Sequence, residues 1–174
     1  MRRVLLGHLI ACALVLPAAA QNAPGVTDTE IKIGQTMPYT GPGARRALQG
    51  KAEIAYMQMI NDQGGVNGRK INLIDIDNGS DATKDPQVTQ QLVESRKVFA
   101  MVTNNPFTFA SYRYLADKKI PTVSGGYDGS PYETPGTETL FPVGISLPTW
   151  SYDTVAQLVK GKGATKVGTV GYGQ

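Results

Sequence analysis

The chain has 174 residues, enough for one domain of ordinary size, and carries 17 Lys and Arg against 14 Asp and Glu. This small positive charge contains no block of basic residues, so nothing indicates nucleic acid as a partner. The only His and the only Cys, His8 and Cys12, both lie near the N-terminus.

Residues 1–20 have the organisation of an export signal. Two arginines follow Met1, and an apolar run then extends to Leu16, before Pro17 and three alanines. The run is too short to span a bilayer, so the pattern predicts a cleaved signal peptide and a periplasmic protein. A second interpretation stays open, because residues 9–12 resemble the lipobox of bacterial lipoproteins, in which Cys12 would be lipidated.

Cleavage after Ala20 would change the chemistry of the chain. The mature protein would have neither His nor Cys, which excludes thiol nucleophiles, imidazole bases and His/Cys metal sites. Loss of Arg2 and Arg3 would leave 15 basic against 14 acidic residues. We therefore expect no catalysis and no metal site based on His or Cys, and no cofactor is predicted.

After a polar lead at residues 21–29, predicted strands and helices alternate. The first helix carries an apolar stripe of Leu48, Ala52, Ala55 and Met59, and Asp85 is predicted to cap a helix that starts at Pro86. Such alternation indicates an α/β fold with a doubly wound parallel sheet. The predicted strands are 31–33, 71–77, 98–103, 120–124, 141–145 and 166–170. The first helix spans about 45–61, and two later helices span 107–118 and 149–160.

The loop after the first strand does not predict a phosphate site. Ligands of open α/β sheets bind outside the carboxyl ends of the strands. Counted from Gly41, however, the sixth position of a dinucleotide fingerprint is Arg46, and Pro42 removes a backbone N–H from the loop. The loop is expected to line one wall of a cleft. Arg46 either contacts a ligand or belongs to a solvated first helical turn.

Two further loops supply candidate ligand contacts. Residues 103–109 precede a helix, where free N–H groups favour a carboxylate, although an Asn there could simply cap the helix. Residues 124–132 combine glycines with an aromatic ring and an acid, or form a flexible turn. Asp75, Asp77 and Asp81 lack the spacing of a Ca²⁺ loop. The candidate ligand-binding residues are Asn104, Asn105, Phe107, Thr108, Gly126, Tyr127, Asp128 and Arg46.

Three segments give a specific resemblance: "GVTDTEIKIGQTMPYTGP", "INDQGGVNGRKINLIDIDNGSD" and "KKIPTVSGGY". They resemble the periplasmic solute-binding proteins of branched-chain amino acid ABC transporters, which are type I periplasmic binding proteins. The resemblance implies a two-lobed receptor that closes on a small amino acid or carboxylate and delivers it to an inner-membrane ABC permease. It implies ligand contacts on the same three loops. Asn104 and Asn105 stand where the family has Ser or Thr, and Arg46 where it often has an aromatic residue.

The resemblance also implies a division of the chain. Residues 30–145 would form the N-terminal ligand-binding lobe, and residues 146–174 the hinge crossing and the incomplete start of a second lobe. We therefore expect a fragment or a truncated product. Two alternatives stay open: a sensor domain that uses the same receptor fold, and an Asp-based hydrolase on a Rossmann-like sheet.

Overall fold

The structure is a computed structural model that describes residues 23–124, 135–143, 153–166 and 168. The predicted signal peptide and three candidate ligand residues, Gly126, Tyr127 and Asp128, lie outside this part of the chain. Most of the strand predicted at 166–170 also lies outside it. Within the described residues, no helix is both long enough and apolar enough to cross a membrane.

Five strands form one parallel sheet, which confirms the predicted α/β class. Its order is β2-β1-β3-β4-β5. The chain passes from β1 to β2 on one side and then crosses to β3 on the other, so the loops after β1 and β3 diverge. That divergence is the switch point at which open α/β sheets bind ligands. The strands are β1 Glu30–Met37, β2 Lys70–Asp77, β3 Ala100–Thr103, β4 Thr122–Ser124 and β5 Leu140–Pro142.

The predicted helices are also present, with short turns at their ends. A 3-10 turn leads into α1 and another into α3, while α2 continues into a wider π-helical turn. The helices are α1 Ala47–Asp62, α2 Lys84–Gln90, α3 Tyr112–Asp117 and α4 Asp153–Gly161.

The main apolar core lies on the α2 and α3 side of the sheet. Gly34 of β1 lets the core pack closely, because a Cβ at this position would lie 2.6 Å from the Met101 Sδ. The π-helical turn after α2 contributes to this core, since Leu92 belongs to it and Val93 packs against it. The buried members of the core are Leu92, Val98, Met101, Leu115 and Leu140.

The apolar stripe of α1 faces solvent. Leu48 is 73% exposed and Met59 is 44% exposed. The helix instead turns Gly50 towards the sheet, where an added Cβ would lie 2.3 Å from the Tyr39 hydroxyl. Apolar residues occur on every side of α1, so the spacing alone could not identify the packed side. The absence of a side chain at Gly50 determines it.

The prediction that Asp85 caps α2 is wrong, because Asp85 lies inside the first turn of the helix. The helix begins at Lys84, and the Asp81 carboxylate accepts the N–H groups of Thr83 at 2.7 Å and Lys84 at 3.3 Å. Asp85 is buried in the first turn, where its carboxylate accepts hydrogen bonds from Asn78 Nδ2 at 2.9 Å and Ser111 Oγ at 2.8 Å. Asp85 therefore ties α2 to the loop after β2 and to the start of α3.

Candidate functional site

The loop after β1 is tied to the loop after β2. The Asp77 carboxylate accepts the N–H groups of Tyr39 at 2.9 Å and Thr40 at 3.2 Å, and the Thr40 hydroxyl at 2.6 Å. Partial burial acts to raise the pKa of Asp77, but these bonds and one from Gly79 lower it below its usual value. The carboxylate is therefore ionised at neutral pH and fixes the loop.

Ser80 holds the other end of the same loop. Its Oγ accepts the Gly43 N–H at 2.8 Å and donates to the Thr40 carbonyl at 2.6 Å. The N–H groups of Tyr39, Thr40 and Gly43, which a phosphate cradle would present, are already used inside the protein. The Gly-Pro-Gly loop is consequently a fixed wall at the switch point.

Asn105 shapes the loop after β3. It is buried, and its Nδ2 donates to the Thr36 carbonyl at 2.7 Å and to the Thr36 Oγ1 at 2.9 Å. Its Oδ1 accepts the Phe107 N–H at 2.8 Å, and the buried Thr108 hydroxyl donates to the Asn105 carbonyl at 3.2 Å. Both amide hydrogens of Asn105 thus join this loop to β1, and the half-buried Phe107 begins the following turn.

Asn104 has a different environment from its neighbour. Its Oδ1 is shielded from solvent and has no hydrogen-bond partner among the described residues. The residue lines a recess of about 250 Å³ whose other lining residues are Glu53, Val102, Thr103, Val123, Ser124 and Val143. Of the candidates on the loop after β3, Asn104 is the one that borders this open space.

The structure places five of the predicted site residues at the carboxyl edge of the sheet. Arg46 is half-buried in the 3-10 turn that leads from the first loop into α1. The other four lie together on the loop after β3: Asn104, Asn105, Phe107 and Thr108.

A polar cluster beneath α1 was missed by the sequence analysis. Gln35 Nε2 donates to the Tyr39 hydroxyl at 3.4 Å, and burial raises the pKa of Tyr39, reinforced by its hydrogen bond to Asp75. Burial also raises the pKa of Glu53, opposed by a hydrogen bond from Asn104. Asp75 has a raised pKa chiefly because it is partly buried. No local signal indicated this cluster, because the predicted first strand ends at residue 33 and the pairing of Gln35 with Asp75 depends on the strand register.

We expect Asp75→Asn to stabilise the fold at neutral pH. The folded-state pKa of Asp75 is raised, so the folded chain binds a proton more tightly than the unfolded chain and is penalised once the carboxyl ionises. Because Asp75 is partly exposed, the free energy of unfolding of Asp75→Asn at pH 7 should rise by only on the order of 0.5 kcal/mol, or about 2 °C in Tm. It should disappear as the pH falls below about 4, where the carboxyl is protonated in both states.

Urea unfolding at neutral and acidic pH measures this difference. Asp62→Asn is the matched control, because Asp62 is an exposed acid at the end of α1. A lower stability of Asp75→Asn at neutral pH would show that the carboxylate is stabilised by its surroundings, contrary to the stated sign.

Comparison with known proteins defines the class. The family described as periplasmic binding protein matches residues 30–174, and the chain belongs to this family. The fold is that of the type I periplasmic binding proteins, and the predicted resemblance to substrate-binding proteins of branched-chain amino acid ABC transporters is confirmed. A search of curated proteins found no significant match.

Three solved structures illustrate the similarity. The isoleucine-bound branched-chain amino acid transporter substrate-binding protein LivJ of Streptococcus pneumoniae is 30% identical, with a TM-score of 0.55 over 66% of this chain and 33% of that chain. A Rhodopseudomonas palustris solute-binding protein in complex with 3,4-dihydroxybenzoic acid is 23% identical, with a TM-score of 0.53 over 64% and 31%. A Thermomonospora curvata fatty acid ABC transporter substrate-binding protein is 24% identical, with a TM-score of 0.58 over 84% and 37%. The chain spans about a third of the length of these proteins.

Proposed function

We propose that this chain binds a small amino acid or related carboxylate in the periplasm, for delivery to an ABC permease in the inner membrane. The family is one of solute-binding proteins. The observation that carries the proposal is the family match from β1 onwards, over a sheet whose switch point carries the loop that starts at Asn104. Isoleucine in the 30% identical LivJ supports an amino acid as the solute.

Some residues of the proposed site contact the solute, and others hold the loop after β3 in its conformation. Asn104 would donate its amide to the solute carboxylate. Asn105 and Thr108 would hold that turn in place through their internal hydrogen bonds. Arg46 would add positive charge from the first loop. On the third loop, Gly126, Tyr127 and Asp128 would approach the solute, with Asp128 facing its ammonium group, and Phe107 would supply apolar contact.

Thermal unfolding with a panel of solutes tests this function. L-isoleucine, or another small carboxylate of the panel, should raise the Tm while remaining chemically unchanged. A solute at one hundred times its Kd stabilises the folded state by about 2.7 kcal/mol. Consumption of the solute would indicate an enzyme. A flat response to every amino acid and carboxylate would contradict the proposal.

Asn104→Ala should weaken solute affinity by about tenfold and lower the Tm of the free protein only slightly, because Asn104 Oδ1 makes no internal bond in the described residues and its amide donates to Glu53, which is only partly buried. Asn105→Ala should instead lower the Tm, since it removes three internal hydrogen bonds. Calorimetric titration and thermal unfolding separate the two effects. Asn72→Ala, an exposed position near the amino end of β2, is the control, and equal affinity losses in Asn72→Ala and Asn104→Ala would refute the contact.

A further inference from the structure

The recess at the carboxyl ends of β3 and β4 contains an acid that the contacts proposed above do not use. This acid is Glu53, which comes from α1, whereas the other lining residues belong to β3, to β4 and to the segments that follow β3 and β5. Among the described lining residues, Glu53 is the only one with a charged side chain. It therefore determines the charge that this wall of the recess presents to a solute.

The Glu53 carboxyl group has an acceptor without a donor. Asn104 supplies one hydrogen bond to the group. The Oε2 atom, however, is shielded from solvent and has no hydrogen-bond partner in the described parts of the chain. No basic group of these parts lies within ion-pair distance of it. A shielded acceptor without a donor destabilises a fold, so a donor on a bound molecule would complete this one.

Asn104 places a donor directly beside this acceptor. Its amide nitrogen carries two hydrogens, and donation of one to Glu53 leaves the other for a solute carboxylate. In an α-amino acid the ammonium and carboxylate groups are attached to the same carbon, so they need an acceptor and a donor at adjacent positions. Glu53 and Asn104 form such a pair.

The opposite side of the recess is apolar. Val102 and Val123 are paired positions of β3 and β4, and Val143 follows β5. Val123 is 40% exposed and Val143 is 61% exposed, so both present methyl groups to a molecule in the recess. A mostly apolar lining with a few polar groups that fix orientation is typical of small-molecule sites.

The same acid acts against a solute that has a carboxylate and no ammonium group. Such a solute, bound to the Asn104 amide, would place a second negative charge next to the Glu53 carboxylate. Like charges repel strongly where the surroundings are partly shielded from water. A repulsive element of this kind gives specificity by weakening the wrong ligand.

We propose that Glu53 is a specificity-determining residue of the solute site, which accepts the ammonium group of an α-amino acid and repels solutes that carry only a carboxylate. This inference rests on the proposed function and narrows its solute to an α-amino acid. An ammonium group carries three donors, so Glu53 leaves room for a further contact from another loop.

Three probes with the same branched stem separate the two charged groups. L-isoleucine carries both, 2-methylbutylamine carries only the ammonium group, and 3-methylpentanoate carries only the carboxylate. In methyl NMR titrations of the whole chain, L-isoleucine should shift the signals of Val102, Val123 and Val143 saturably. The affinity for 3-methylpentanoate should be at least about tenfold weaker. Equal affinities for these two probes would overturn the proposal.

Two variants test whether the charge of Glu53 is responsible. Glu53→Gln keeps an acceptor for the Asn104 amide but should weaken the binding of L-isoleucine and 2-methylbutylamine about tenfold, while 3-methylpentanoate binds equally well or more tightly. Asp62→Asn removes a charge from the exposed end of the same helix and should leave all three affinities unchanged. Unaltered L-isoleucine affinity in Glu53→Gln, or an equal loss for all three probes, would contradict the assignment.

The parent chain distinguishes failure of this inference from failure of the proposed function. A chain that binds plain carboxylates and no amino acid keeps its function as a solute-binding protein, and the role of Glu53 is overturned. A chain that binds no amino acid and no carboxylate contradicts the proposed function, and the role of Glu53 is overturned with it.

Discussion

Asp85→Ala is expected to lower the free energy of unfolding by about 3 kcal/mol, or roughly 9 °C in Tm. Asp85 is fully buried, as is the Asn78 amide that donates to it, and the other donor, Ser111, is buried as well. The substitution leaves both donors without an acceptor and away from water. It also disconnects α2 from the loop after β2, which positions the wall of the proposed cleft.

Urea and thermal unfolding measure the loss. Asp117→Ala, which removes an exposed acid at the end of α3, is the control and should change stability by less than about 0.5 kcal/mol. If Asp85→Ala does not fold, Asp85→Asn keeps one acceptor oxygen and should show an intermediate loss. Equal and small effects for Asp85→Ala and Asp117→Ala would mean that the network contributes nothing.

Gly65→Ala should destabilise the chain by about 3 kcal/mol, and Gly64→Ala by only about 1 kcal/mol. Both glycines have positive φ, +79° for Gly65 and +108° for Gly64. A Cβ at Gly65 would also lie 2.0 Å from the Arg69 carbonyl oxygen, whereas nothing lies within 4 Å of one at Gly64. The difference between the variants therefore measures a backbone clash separately from conformational strain.

Comparison of the two alanine variants by urea unfolding checks this expectation. The clash arises because Val66 and Arg69 exchange backbone hydrogen bonds of 2.8 and 3.0 Å that close the turn over Gly65. Identical losses of stability in the two variants would show that the turn rearranges to relieve the clash without destabilising the chain. The measurement concerns the segment "GGVNGRK", which is part of the second segment that carries the family resemblance.

The positions of the strands along the chain were predictable because each segment carries apolar residues and is bounded by turn residues. The position of the loop after β3 at the carboxyl edge of the sheet was also predictable, because parallel strands bring their carboxyl ends to one side. These features depend on local pattern and on general topology. They do not require knowledge of which side chains meet.

The finer features depended on contacts between distant residues. Asn104 and Asn105 are adjacent and chemically identical, but only Asn105 meets Thr36, which is 69 positions away. Asp85 fitted the local pattern of a helix cap, but in the fold its buried carboxylate accepts hydrogen bonds from Asn78 and Ser111. The cluster beneath α1 was equally hidden, because nothing local shows that Gly50 turns α1 onto Gln35 and Tyr39.

A titration of the isotope-labelled chain with L-isoleucine, followed by backbone amide NMR, tests the central claim most directly. The claim is that the carboxyl edge of the sheet forms a solute-binding wall. The account predicts saturable shifts of the amides at residues 40–43 and 104–108, with Gly65 and Gly68, in the turn before β2, unaffected. Shifts confined to that turn, or no shift with isoleucine or with any other small carboxylate, would contradict it.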